Sequence, residues 1–91
     1  MFDPRHMNPP IDAIESLERY AKQGVPPGGF LRAVLANDLM EAVGRADIYN
    51  IHALPAICSY IYNGIPLDSW GSYEIVDNWI EKKHKEQQDG S

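Results

Sequence analysis

Apolar positions recur along this chain at helical spacing, and no stretch shows the strict alternation of a strand. Ile11, Ile14, Leu17 and Ala21 form one face, with Asp12, Glu15, Glu18, Arg19 and Lys22 on the other. Pro9 and Pro10 suit the start of that helix, where the first N–H groups have no partner in any case. Gly24 predicts a left-handed cap, and Pro26 and Pro27 keep the helix from resuming. Beyond Gly28, Gly29 and Phe30, the positions Leu31, Val34 and Leu35 make a second apolar face. Asn37 can stop this helix and Asp38 can cap another, with Glu41 completing a capping box and Leu39, Met40 and Val43 facing inward. A single helix over 29–45 is the alternative, since Asn and Asp are tolerated inside helices. Gly44 favours termination before Asp47.

Asp47 to His52 reads as a connection or a first helical turn. Leu54, Ile57, Cys58 and Ile61 then step at i, i+3, i+4 and i+7. Pro55 fits a helix that begins beside it, and must kink one that begins nearer Asn50. Asn63 and Gly64 end this element, and Ile65 to Gly71 is a loop carrying Pro66 and Trp70. Ser72 caps the last helix, Glu74 suits its first turn, and Val76, Trp79, Ile80 and the stem of Lys83 form its inner face. The pattern predicts an all-α fold: a single small domain of four to five short helices in an orthogonal or irregular bundle. The helical domain spans 10–86, between a flexible arm at 1–9 and a frayed tail at 87–91.

Charge narrows the function. Thirteen acids against eight bases give a formal net charge of −5. Such a surface argues against nucleic-acid binding, which depends on cations that displace counterions. The run Lys82, Lys83, His84 and Lys85 falls where the last helix is expected to end, where cations complement the helix dipole. One cysteine, Cys58, sits in an apolar run, which fits a reducing compartment and a buried structural role. The N-terminal residues have no apolar stretch of a signal peptide, and no segment is apolar over the ~18 residues of a membrane span. A cytoplasmic protein is expected.

Catalytic chemistry is hard to assemble from these residues. His52 and Cys58 are offset around a helix, so they make a poor nucleophile–base pair. His6, His52 and His84 are isolated, and no CxxC or HExxH spacing offers a zinc site. Glu15 and Glu18 lie on a solvated face. No metal or cofactor is implied, and a non-enzymatic role is expected. Three features remain. Gly28 and Gly29 open a helix with free N–H groups, and Arg32 lies one turn on, a candidate anion or ligand site. No Gly-Lys-Ser or Gly-Lys-Thr follows, and a tight turn is the plainer reading. Arg45 can pair with Glu41 at i+4 or with Asp47 through the turn, with a polar recognition patch as the alternative reading. Tyr60, Tyr62, Trp70, Tyr73 and Trp79 crowd the second half, more than a thin core holds, so some should lie at a contact surface.

Several phrases occur in a familiar order: Arg19-Tyr20, then Gly24-Val25-Pro26-Pro27-Gly28-Gly29-Phe30-Leu31, then Ala33-Val34-Leu35-Ala36-Asn37-Asp38-Leu39. Gly44-Arg45-Ala46-Asp47, Asn50, Tyr60-Ile61-Tyr62-Asn63 and Trp70-Gly71-Ser72 follow. Over residues 15 to 82 this resembles a group of small phage and prophage proteins with no established activity. The resemblance implies a phage context, in which small acidic proteins bind and redirect host machinery, defence systems included. The leading expectation is therefore an accessory protein that binds a host protein through Tyr62, Trp70 and Tyr73, with Arg45 and Asp47 at the rim. One alternative is an oligomer that binds a nucleotide signal at Gly28, Gly29 and Arg32. Another is a DNA mimic, which needs acids spaced like phosphates. Exposed aromatics in so small a domain also suggest a homodimer.

Overall fold

The computed structural model describes residues 9–89. The arm expected at 1–9 lies, apart from Pro9, outside the described residues, as do positions 90 and 91 of the expected tail. Five α-helices and no strand occur among the described residues: α1 (Ile11–Gln23), α2 (Gly29–Leu35), α3 (Leu39–Arg45), α4 (Ile48–Gly64) and α5 (Tyr73–Asp89). A 3-10 turn, Leu67–Ser69, interrupts the loop before α5. The molecule is an elongated bundle of 49 × 22 × 19 Å.

Helix α1 ends as its sequence dictates. Gly24 takes φ 70°, ψ 24°, and its N–H bonds the Tyr20 carbonyl. Its inner face is rotated from the expected one, for Ile11 is exposed while Ala13, Leu17 and Tyr20 are buried. Tyrosine could turn inward because its hydroxyl has a partner there: Tyr20 donates to the Ser69 carbonyl at 2.6 Å. The Trp79 indole donates in turn to the Tyr20 carbonyl at 3.2 Å. One residue thus ties α1 to the 3-10 turn and to α5. Leu17, Leu35, Ile57 and Val76 complete the fully buried centre.

The segment 29–45 is two helices. Asn37 takes φ 62°, a left-handed break that Asn tolerates better than most residues. Asp38 then caps α3, accepting from the Glu41 N–H at 3.3 Å. The capping box stays half formed, because the Glu41 carboxylate accepts from Arg45 Nε at 2.6 Å instead. The expected burial of Leu39, Met40 and Val43 is wrong. Ala42 is the buried residue of α3, while Leu39 is 61% and Met40 81% exposed. The break at Asn37 sets the helix rotation, and the methyl of Ala42 lets backbones approach closely where larger side chains would not fit.

Asp47 caps α4 by accepting from the Asn50 N–H at 2.8 Å, so the helix starts early and Pro55 lies inside it. Proline removes one helical N–H donor, which leaves the Ile51 carbonyl without its usual partner. Pro55 is exposed, where water can serve that carbonyl. The buried side of α4 is Ala53, Ala56, Ile57 and Ile61. Cys58, expected inside, is exposed. It sits about 100° round the helix from Ile57, beyond the edge of that face. Ser72 Oγ accepts from the Ile75 N–H at 3.1 Å and starts α5, whose Val76 and Trp79 are buried. This helix runs to Asp89, into the segment expected to fray, and Gln87 donates to the Gln23 carbonyl at 2.8 Å and so serves the open end of α1. The basic run is therefore not its last turn; Lys83 and Lys85 pair with Glu86 and Glu81.

Candidate interaction surface

A groove of about 520 Å³ opens between the end of α2, the outer side of α4 and the loop before α5. Its lining is mostly apolar: Val34, Pro55, Cys58, Ile61, Tyr62 and Trp70 form most of the walls. Trp70 is placed by the backbone around it. The Ser69 N–H and hydroxyl both donate to the Pro66 carbonyl, and the Gly71 N–H donates to the Leu35 carbonyl at 2.7 Å. Gly71 adopts φ 137°, a conformation that side chains on Cβ disfavour. The loop is thus anchored on both sides of Trp70, and its indole stands half-buried against the groove.

Tyr62 projects from α4 beside it. The two rings lie 6.1 Å apart, tilted by 51°, within the range of a favourable aromatic pair. Tyr62 is nonetheless 70% exposed. Trp70 Nε1 is buried without a hydrogen-bond partner among the described residues, an uncommon state for a native donor. Cys58 lies in the same wall, where its apolar surroundings push the thiol pKa above its ordinary value.

The other residues expected at an interface go elsewhere. The Tyr73 hydroxyl donates to Asp38 Oδ2 at 2.8 Å, and the Arg32 guanidinium lies 4.7 Å above its ring. The bond to Asp38 is the main cause of the raised pKa of Tyr73. Arg32 also pairs with Asp77 at 3.0 Å. These contacts fasten α2 and the cap of α3 to α5. Arg32 is thereby turned to Asp77 and Tyr73 rather than standing as a free cation for Gly28 and Gly29. The cation beside Gly29 is Arg45, since a Cβ there would stand 3.0 Å from Arg45 Nη1. Of its two expected partners Arg45 takes Glu41, leaving Asp47 to its cap. The structure therefore joins Tyr62 with Trp70 and gives Tyr73, Arg45 and Asp47 internal partners.

Two features escaped the sequence reading. The first is Tyr20, whose place in the core depends on a carbonyl 49 positions away. The second is the outer side of α4. Ile48, Ile51, Pro55, Cys58 and Tyr62 step by three and four along it, all exposed, and the helix carries no charged residue over its 17 positions. An uncharged helix with an apolar stripe on its outer side offers contact area there, and that signal was present in the sequence. Among the described residues no cluster of His, Cys, Asp or Glu is arranged to hold a metal ion, and no helix is long and apolar enough to cross a membrane. Comparison with protein-family models, curated proteins and solved structures gave no match.

Proposed function

We propose that this chain is a non-enzymatic accessory protein of phage type that binds a host protein in the groove lined by Tyr62 and Trp70. The observation that carries this reading is the Tyr62–Trp70 pair in an apolar groove, with Tyr62 largely open to water. Aromatic side chains supply large contact area at low entropic cost and dominate binding energy in many interfaces. The resemblance to phage proteins supplies the class of partner, and inhibiting or redirecting host machinery, defence systems included, is the effect such binding has. The nucleotide-signal alternative has less support, because Arg32 is paired with Asp77. The DNA mimic has less too, since Glu18, Glu41, Asp77, Glu81 and Glu86 sit beside cations.

The test is affinity purification from bacterial host cells followed by native mass spectrometry, with Tyr62→Ser in parallel. The wild type should retain one host polypeptide in stoichiometric amount. Loss of an interface aromatic costs about 2 kcal/mol or more, so the variant should lose that polypeptide while keeping its fold. Equal retention by both proteins refutes this site.

A further inference from the structure

We infer that α3 is a gate beside the groove: it unwinds while the rest of the fold stays shut, is kept wound by the Tyr73–Asp38 hydrogen bond, and when open joins the cavity beneath it to the groove. That cavity holds about 50 Å³ between α3, α4 and the end of α2, and Val34, Leu39, Ala42, Leu54 and Cys58 border it. Val34, Asn37 and Cys58 border the groove as well, so the two spaces share a wall. On the reading that the groove binds a host protein, α3 sets how much apolar surface that partner can reach.

Little holds α3 in its place. All of its seven residues but Ala42 are exposed, and Ala42 stands outside the core cluster. The Glu41–Arg45 ion pair joins the helix only to itself. A helix this short does not persist without support. Gly44 weakens it further, and packing does not call for glycine there, since a Cβ would meet nothing within 4 Å. Both ends leave helical geometry at once: Asn37 takes φ 62° before it, and Ala46 is extended after it. The one fastening to α5 is at the cap. Asp38 Oδ1 accepts from the Glu41 N–H, while Oδ2 accepts from the Tyr73 hydroxyl at 2.8 Å. The same carboxylate therefore starts α3 and anchors it. Arg32 holds α2 to α5 separately through Asp77, so α3 can open without the core, as segments with few buried apolar contacts do.

Amide hydrogen exchange of the free, full chain tests this. Wild-type amides from Ala42 to Arg45 should exchange faster than those of Leu17 and Ile57 at the buried centre. Tyr20→Phe, which weakens the whole fold, should speed the central amides about tenfold and leave those of α3 unchanged. Tyr73→Phe should speed α3 about tenfold, and Gly44→Ala should slow it about threefold. With Cys58→Ser, the change Ala42→Cys puts the only thiol under α3, and Tyr73→Phe should raise its alkylation rate by the same factor. Acceleration of α3 by Tyr20→Phe would mean that α3 opens only with the whole fold, and overturns the inference. So does a Tyr73→Phe protein whose α3 exchange or Ala42→Cys alkylation matches its parent. No host protein takes part, so equal retention of host polypeptide by Tyr62→Ser would sink the binding site and leave this result standing.

Discussion

Removing one oxygen from Tyr20 should cost this protein a large part of its stability. The hydroxyl donates to the Ser69 carbonyl at 2.6 Å with the whole side chain out of reach of water. In Tyr20→Phe the ring still fills its space, but the buried carbonyl loses this donor. An unsatisfied buried acceptor costs about 1–2 kcal/mol, against a total of about 5–10 kcal/mol for a domain of this size. Each kcal/mol moves the melting temperature of such a domain by about 4–8 °C. Thermal unfolding followed by circular dichroism should therefore show a fall of about 5–15 °C. Tyr60→Phe is the matched control. Its hydroxyl donates to Glu18 at 3.2 Å in an exposed position, and its removal should change stability by less than about 0.5 kcal/mol. If the two variants melt together, Tyr20 is not the tie between α1 and the 3-10 turn, and the account of how Trp70 is positioned fails with it.

Two further outcomes follow from the same contacts. Burial, then the charge of Asp77, raises the Tyr20 pKa above the ordinary value of 10.0, so its contribution is complete below pH 10 and is lost as the pH rises past it; alkaline titration of the unfolding free energy should show this fall, flattened in Tyr20→Phe. Gly24→Ala should lower stability by about 2 kcal/mol or more, because φ is +70° and the new methyl would stand 2.7 Å from Lys83 Cβ; a melting temperature equal to wild type would contradict the close packing of α1 on α5.

The helices were legible where the local signals were strong. Gly24, Asp38 and Ser72 each act at the terminus where their chemistry places them, whereas the cap at Asp47 starts a helix whose beginning the pattern left open. Burial was less legible, because helical spacing gives a stripe and not its bearing on the neighbours. In α3 a stripe of large residues faces water while Ala42 takes the inside, and in α4 the alanines at 53 and 56 displace Cys58. The candidate groove was legible only in part. Aromatic excess pointed to Tyr62 and Trp70, but nothing local distinguishes them from Tyr73, whose partners Asp38 and Arg32 lie far off in sequence. The anion reading of Gly28 and Gly29 depended on Arg32, and its pairing with Asp77 spans 45 positions.

Cys58 offers the most direct test of the groove, because the protein's single thiol lies in its wall and is exposed. Its alkylation rate should be measured in the free protein and in the complex purified from host cells, at one pH above neutrality, since its raised pKa keeps the thiolate scarce below that. A partner seated in the groove over Tyr62 and Trp70 should slow the reaction at least about tenfold. An unchanged rate with the partner bound would contradict the account and place the contact elsewhere on the molecule.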